Sequence, residues 1–401
     1  MTYILRVVRR IATSINLNTL DDLKERRFVM QKSLLVREFS SAFADLGTFL
    51  PLVLGLTIVG GVNPVGVLYG FGLFAIATGA IYRKPIPVQP MKAVAAMGIA
   101  GLVSPDVLLA TGILLGVTLV FLSHTDLISW AKGFFPKTVL HGMRIALAVS
   151  LVVTIFDHAD FAPLPLFVLL SALIAIQFSP AKSLSCLAIL LLGWFWLGES
   201  DFWPGLVFQY AFPEYNFPDL SSLSTALTTT YFPQLALTLT NALILTAVIA
   251  QDYFPDRLHE LTEKRFARSS GLANLLLAPF GAIPMCHGAG GLSAYYGLGS
   301  RTGWSVVIFG MACLIIAFMF GSQAVVVLRM IPNEVVITLV LYAAWVLADP
   351  LRLVKLSPSC MIIIGLMIPL TLFGGLFLAL LSGLILERCR SEWFKAERAR
   401  V

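Results

Sequence analysis

Charged residues are scarce in this 401-residue chain, where they make up only 12% of the sequence. A soluble domain typically carries about 25% charged residues, and its water-facing surface stays large even at this size. Hydrophobic residues instead account for 58% of the chain. Apolar runs of roughly 15–20 residues recur from Phe39 to Leu386, and they reach or approach the length that crosses a lipid bilayer. Because these runs are continuous rather than alternating, they predict an all-α polytopic membrane protein and exclude a soluble fold.

The sequence also has few residues of the kinds that perform catalysis or bind metal ions. Its five cysteines and five histidines are scattered, and no Gly-x-Ser-x-Gly or His-Glu-x-x-His motif occurs. We therefore expect no enzyme activity, no metal and no cofactor. The net charge of +6 does not indicate nucleic-acid binding, because eight of the 28 Lys and Arg residues lie in 1–37 and five follow Leu386. Basic ends that flank apolar spans are typical of the cytoplasmic side of a membrane.

Breaks in the apolar runs predict fourteen membrane segments in two sets of seven. The first set lies near 39–58, 64–82, 90–103, 106–123, 137–156, 161–178 and 183–198. The second set lies near 232–250, 269–283, 287–299, 302–320, 333–348, 357–371 and 373–387. An even number of segments puts both termini on one side, and the basic residues of the connections place that side in the cytoplasm of a cell membrane. The predicted organisation is a basic leader (1–37), a first repeat (38–198), an extracytoplasmic loop (199–231), a second repeat (232–387) and a cytoplasmic tail (388–401).

The two halves of the chain resemble each other at a fixed offset. Residues 86–90 (Ile-Pro-Val-Gln-Pro) match residues 283–287 (Ile-Pro-Met-Cys-His), 197 positions later. Phe135-Pro136 likewise matches Ile331-Pro332 at an offset of 196. Since each half has an odd number of segments, the second half enters the membrane upside down. This inverted 7+7 repeat is the plan on which many secondary carriers are built.

The third and tenth segments are too short to cross the membrane alone, and prolines break each of them. Pro87 and Pro90 forbid a continuous helix through the third segment, and Pro284 does so in the tenth. We expect an extended stretch to enter at 85–89 and at 282–286, and a half-helix to leave each. In inverted-repeat carriers, such half-helices bring their N-termini to the bilayer midplane and form the substrate site.

Facing half-helix N-termini favour an anion. Each contributes free N–H groups and roughly +0.5 of an elementary charge, so that two of them with Lys92 give about +2. Lys92 lies in the first turn of the first half-helix, although a lysine there also has the reach to extend toward the cytoplasm. Glycines open the second half-helix, where they permit main-chain contact with a ligand or close helix packing. The candidate substrate residues of this region are Gln89, Lys92, His287, Gly288, Gly290 and Gly291.

Two further polar residues lie within apolar spans at equivalent positions of the two halves. A carboxylate inside a membrane is costly and usually functional, so Asp45 is the candidate for proton coupling or gating. The alternative for Asp45 is a structural hydrogen bond to a neighbouring helix, such as to backbone freed near Pro87. Asn241 and Thr240, in the eighth segment, are candidate ligand donors.

Four motifs together resemble those of the molybdate transporter family, a distant branch of the sulfate permeases. They are Phe-Ala-Asp-Leu-Gly-Thr-Phe (43–49), Pro-Val-Gln-Pro-Met-Lys (87–92), Pro-Gln-Leu-Ala-Leu-Thr-Leu-Thr-Asn (233–241) and Pro-Met-Cys-His-Gly-Ala-Gly-Gly (284–291). The resemblance implies a core domain (segments 1–4 and 8–11) that carries substrate past a gate domain (segments 5–7 and 12–14) in an elevator-like movement. It also implies substrate between the two half-helices. Wider sulfate permeases carry a C-terminal STAS domain, and the short tail here favours the molybdate branch.

The substrate itself is predicted by the resemblance alone, because molybdate and sulfate are both tetrahedral dianions. We expect molybdate, with sulfate as the main competitor and tungstate accepted wherever molybdate is. A nucleobase or bicarbonate carrier of the same fold is the alternative, and an anion channel on this scaffold is left open. The expected partners are the oxyanion and the lipid bilayer, without nucleic acid, and a homodimer is also left open.

Overall fold

The computed structural model describes residues 34–128, 136–158, 160–179, 182–198, 207–349 and 356–398. In the first half, the span Leu34–Ile58 contains a turn at 42–45 and then a helix, α1. The elements of this half are α1 (Leu46–Ile58), α2 (Pro64–Tyr82), β1 (Gln89–Pro90), α3 (Lys92–Ile99), α4 (Pro105–Ser123), α5 (Lys137–His158), α6 (Pro163–Gln177) and α7 (Ser185–Leu197).

The second half again has a two-residue strand between its second helix and a short third helix. It contains α8 (Leu220–Tyr253), α9 (Glu263–Leu277), β2 (Met285–Cys286), α10 (Ala289–Gly297), α11 (Trp304–Phe320), α12 (Ala324–Arg329), α13 (Asn333–Ala348) and α14 (Pro358–Arg398). In the described part of the chain, six helices are long and apolar enough to cross a membrane, and four shorter helices are apolar. The protein is therefore a multi-pass membrane protein.

The third and tenth segments are broken where the prolines predict. The half-helix α3 has only eight residues and α10 only nine, and an extended stretch precedes each. The two stretches pair as antiparallel strands, with Gln89 opposite Cys286. Because Pro90 has no N–H, the neighbouring Met91 N–H continues the pairing and donates to the Pro284 carbonyl at 2.9 Å. Part of the backbone that the broken helices free is thus paired with the other half of the molecule.

The long helices pack in pairs that each join the two halves. Helix α2 lies along α11, and α4 lies along α9, while α5 packs on α13 and α14. Glycines permit the closest of these approaches: a Cβ on Gly303 would lie 2.0 Å from the Gly79 carbonyl oxygen, and one on Gly310 would lie 2.7 Å from the Gly72 oxygen. Small residues at such crossings let helix backbones meet in a membrane.

Helix α8 differs from the prediction at its start. It begins at Leu220, inside the stretch 199–231 that we predicted to be a loop, and it contains π-helical turns at Leu227–Tyr231 and Thr238–Leu245. The predicted start near 232 was wrong because Ser and Thr dominate residues 221–230, so that this helical extension reads as polar loop. Residues 207–219 lie along the surface without helix, and residues 199–206 lie outside the described part.

Helix α14 combines the last two predicted segments. Its residues are helical throughout, yet Arg390 Nη1 donates to Ser359 Oγ at 3.3 Å, 31 positions away. A straight helix would separate these residues by about 46 Å. A Cβ on Gly383 would also lie 2.7 Å from Met367 Sδ, so the chain reverses between these two residues, in a stretch that holds Gly374. The two arms are therefore antiparallel, as the predicted segments 357–371 and 373–387 require.

The chain ends are described only in part. The predicted leader 1–37 lies outside the described residues except for its last four, which are helical. Residues 388–398, predicted to be a tail, continue the second arm of α14 as helix.

Candidate functional site

Asp45 lies at the turn that interrupts the first span, and its side chain is only 6% exposed. Its carboxylate accepts a hydrogen bond from Thr48 Oγ1. Gln89 Nε2 approaches both carboxylate oxygens, at 2.8 and 2.7 Å. Asp45 is thus held by its own helix and by strand β1, and it reaches the middle of the broken segments. The hydrogen bonds seen at Asp45 come from side chains, and none of those described goes to backbone near Pro87.

The glycines of α10 let this group lie against the half-helix N-terminus. A Cβ on Gly288 would lie 1.7 Å from Gln89 Oε1, and one on Gly291 would lie 2.2 Å from Asp45 Oδ2. No side chain could replace hydrogen at either position without moving Gln89 or Asp45. Gly290 faces elsewhere, since its Cβ would lie 3.1 Å from Leu151 of α5. The first turn of α10 therefore meets the Asp45–Gln89 pair on one side and α5 on another.

The N-terminus of α10 is open to an acceptor. Gly288 occupies the N-cap position and supplies no side-chain hydrogen bond to the first turn. Unpaired N–H groups and the helix dipole at such an end favour negative charge. Lys92, which begins α3, is half-buried and lies close enough to Asp45 for their opposite charges to attract. The Lys92 side chain and the N-terminus of α10 thus both lie near the Asp45 carboxylate.

Gln234 was missing from the sequence prediction, although it lies within the 233–241 motif. Its side chain is 2% exposed, and Oε1 accepts from the Ala93 and Val94 N–H groups of α3 at 3.0 and 3.3 Å. Nε2 donates to Thr238 Oγ1 at 3.0 Å. The signal available in the sequence was a lone glutamine in an otherwise apolar stretch, but nothing in that stretch indicates which N–H groups it meets.

Asn241 and Thr240 lie in the π-helical turn of α8 and differ in their availability. Thr240 Oγ1 donates back to the Ala236 carbonyl at 2.9 Å, so its hydrogen is used within its own helix. Asn241 Oδ1 is buried and, among the residues that the structure describes, has no hydrogen-bond partner. π-Helical turns occur frequently at functional sites. Of the two, Asn241 retains the free polar atom.

His287 departs from the prediction of a substrate contact. Its Nδ1 donates to the Pro87 carbonyl at 2.9 Å, which leaves Nε2 to accept from Ser269 Oγ at 2.7 Å. The ring is fully buried and packs against Phe74 and Phe266. Because both ring nitrogens are already hydrogen-bonded, neither is left for a ligand. The side chain instead joins the two extended stretches, in which Pro87, Pro90 and Pro284 form the breaks as predicted.

Arg144, which the sequence places in the fifth span, pairs with acidic residues. Its guanidinium is 2% exposed and forms an ion pair with Asp252 at the end of α8. Asp349, after α13, lies 4.0 Å away on the other side. The pair with Asp252 joins α5 to the helix that carries Gln234 and Asn241.

Comparison with known proteins identifies the family. The sequence matches the family described as "Molybdate transporter of MFS superfamily" over residues 37–151 and 226–347. This chain belongs to the molybdate transporter family. Molybdate transporter 2 of Arabidopsis thaliana is 30% identical over 375 residues, which cover 80% of each chain. Molybdate transporter 1 of the same plant is 28% identical over 367 residues, with 79% of each chain covered.

Solved structures share the fold of this molybdate transporter family member. The transmembrane domain of the cyanobacterial bicarbonate transporter BicA matches with a TM-score of 0.57 at 17% identity, over 87% of this chain and 97% of that one. The structure of SLC26A9 matches with a TM-score of 0.56 at 12% identity, over 89% of this chain and 65% of that one. These identities show a common fold and leave the substrate to be argued from the site.

Proposed function

We propose that this protein is a secondary-active carrier of tetrahedral oxyanions and that its substrate is molybdate. The observation that carries the proposal is the open N-terminus of α10, built from Gly288 and Gly291, beside Lys92. A half-helix end supplies N–H donors and roughly +0.5 of an elementary charge, and Lys92 adds a full charge. The choice of molybdate over sulfate rests on membership of the molybdate transporter family.

The proposed substrate site lies between the two half-helices. The oxyanion accepts from the first N–H groups of α10, which lie beside the Asp45–Gln89 pair, and it faces the Lys92 ammonium. Asn241 supplies a further polar group from α8, through a side chain with an unpartnered oxygen. Gln89 holds the position of Asp45, and Thr240 stabilises the turn that presents Asn241.

Asp45 is the proposed coupling residue. An ionised carboxylate beside the α10 N-terminus competes for the same N–H donors as the oxyanion and repels it. Protonation of Asp45 removes that repulsion, so a proton and an oxyanion are expected to bind together and cross together. Repulsion between the Asp45 carboxylate and the oxyanion is thus the physical basis that we propose for coupling by Asp45.

The proposed transport step is a movement of the site across the membrane, and the packing of the helices supports it. We propose that the fourteen segments form a 7+7 inverted repeat with a core domain (segments 1–4 and 8–11) and a gate domain (segments 5–7 and 12–14). Two pairings support this division: the second segment of each half packs on the fourth segment of the other, as α2 on α11 and α9 on α4. An elevator-like displacement of the core then exposes the site to each side of a cell membrane, with both termini cytoplasmic.

The test is a binding measurement on the purified protein. Molybdate is titrated calorimetrically into wild type and Lys92→Ala, with sulfate, bicarbonate and uracil as competitors. Lys84→Ala is the matched control, because the Lys84 ammonium pairs with Asp256 at 3.0 Å on the surface. We expect micromolar or tighter molybdate binding that sulfate displaces poorly, that weakens at least about tenfold in Lys92→Ala and that the control retains.

Three other outcomes would change the substrate or the site that we propose. Tighter binding of sulfate than of molybdate would make the protein a sulfate carrier with the same site. Binding of uracil or bicarbonate in place of either dianion would overturn the oxyanion proposal. Equal binding by wild type and Lys92→Ala would remove Lys92 from the site.

A further inference from the structure

The two half-helices present unequal N-termini, and Gln234 is the cause. The Ala93 and Val94 N–H groups can only donate, so the side-chain atom that they share must be the Gln234 oxygen. The nitrogen of the same amide then faces Thr238, one turn along α8. With both ends of the amide engaged and the side chain 2% exposed, Gln234 closes the N-terminus of α3.

Closure of α3 changes where an oxyanion binds. While Gln234 accepts from the Ala93 and Val94 N–H groups, no ligand oxygen has access to their hydrogens. At α10, the N-cap residue Gly288 has no side chain, and among the residues that the structure describes no other side chain accepts from the N–H groups of Ala289, Gly290 or Gly291. Two half-helices that the repeat makes equivalent thus differ: a side chain caps two N–H groups of α3, whereas none of the described side chains caps α10.

In each half, a polar side chain from the first span lies against the half-helix of the other half, but the two side chains differ in charge. Asp45, from the first span of one half, lies against α10 of the other half. Gln234, from the first span of the second half, lies against α3 of the first. One end therefore faces an acid and the other a neutral amide. A carboxylate at position 234 would place a second fixed negative charge next to the residue that follows Lys92, where it would offset the lysine charge.

We propose that Gln234 is a positioning and selectivity residue: it closes the α3 N-terminus with a neutral oxygen and thereby directs the oxyanion to the α10 N-terminus and Lys92. This inference rests on the oxyanion site proposed above. The Gln234 amide acts by occupying the N–H groups of α3, and it does not contact the substrate. Neutrality at position 234, rather than hydrogen bonding alone, is then what substrate affinity requires.

Two substitutions with opposite charge consequences test the inference. Gln234→Glu keeps an oxygen for the Ala93 and Val94 N–H groups and adds a charge that favours a helix N-terminus, so the melting temperature should stay level or rise. Molybdate affinity should nevertheless fall at least about tenfold. Gln234→Met removes the oxygen without adding charge, so the protein should melt earlier while molybdate affinity stays at or above that of wild type.

A glutamine of similar local role provides the control. Gln323 Oε1 accepts from the Val207 N–H at 2.9 Å on the surface, and Gln323→Glu should leave molybdate affinity within about twofold of wild type. Undiminished affinity in Gln234→Glu, or lost affinity in a folded Gln234→Met, would overturn the inference while leaving the oxyanion site in place. Failure of wild type to bind molybdate or sulfate would instead overturn the proposed function itself.

Discussion

At the residue scale, the Asp45–Gln89 pair lies against the N-terminus of α10, where we propose that the oxyanion binds. Gln89 holds the carboxylate through one amide nitrogen, and Gly291 leaves room for it against the half-helix. Thr48, one turn along α1, donates a further hydrogen bond. These hydrogen bonds hold the carboxylate in place, so we expect a change in its protonation, rather than its movement, to alter the charge that the substrate meets.

We expect Asp45→Asn to uncouple the carrier from the proton gradient. Asparagine keeps the shape of the protonated acid but has no proton to carry, so pH-driven accumulation of molybdate should be lost while exchange of internal for external molybdate continues. Proteoliposomes with an acidic exterior measure accumulation, and preloaded vesicles at equal pH measure exchange.

Asp106→Asn is the matched control for this substitution. The Asp106 carboxylate accepts from Asn216 Nδ2 at 3.0 Å on the surface, so it is an acid held by an amide outside the site. Its replacement should preserve both accumulation and exchange. Accumulation that persists in Asp45→Asn would remove this acid from coupling.

Gly291→Ala should damage the site while the fold persists. The new methyl group would lie 2.2 Å from Asp45 Oδ2 and 2.6 Å from Gln89 Nε2, so the pair must move away from the half-helix. We expect molybdate affinity to fall about tenfold or more, because a displacement of this size breaks the geometry of the first turn. Gly365→Ala, which has no atom within 4 Å of the added Cβ, should bind molybdate as wild type does. Unchanged binding by Gly291→Ala would place the substrate elsewhere.

At the element scale, the broken half-helices were predictable and their partners were not. Pro87, Pro90 and Pro284 restrict their own backbone, so the breaks follow from local chemistry. The choice of partner is a tertiary property: His287 stands beside the glycines in sequence, yet it bonds to Pro87 and Ser269 instead of facing a ligand. Gln234 shows the converse, since a residue outside the predicted site closes the N-terminus of α3.

The crossing of α2 and α11 should be sensitive to a single methyl group. Alanine at Gly303 would place its Cβ 2.0 Å from a backbone oxygen of Gly79, and neither helix backbone can yield without separating the pair. We expect Gly303→Ala to destabilise the protein by about 1–3 kcal/mol and to lower its melting temperature in detergent. Gly365→Ala should melt with wild type. A melting temperature that does not change in Gly303→Ala would mean that the two helices do not cross at this point.

At the scale of the whole molecule, apolar runs predicted most of the helices because lipid requires each span to be long and apolar. They located α2, α4, α5 and α11 closely. They missed helical residues that are polar, as at the Ser- and Thr-rich start of α8. They also could not show that the arms of α14 remain helical through their reversal, because turns and helices both accept the small residues found there.

Cysteine labelling tests the proposed orientation. Cys389 is exposed near the end of α14, whereas Cys186, Cys286, Cys313 and Cys360 are buried. With the C-terminus in the cytoplasm, a membrane-impermeant maleimide should label inside-out vesicles and spare right-side-out vesicles. Cys389→Ser should remove the label. Adding Glu214→Cys to that background, in the exposed stretch before α8, should restore labelling on the opposite face.

The β1–β2 pairing limits which insertions and deletions related sequences can carry. A strand alternates its side chains between two faces, so inserting or deleting one residue between Pro85 and Met91 would turn Gln89 away from Asp45 and change its partner from Cys286. The same holds between Ala282 and Gly288. Sequence alignments of the family are therefore expected to run without gaps through both stretches.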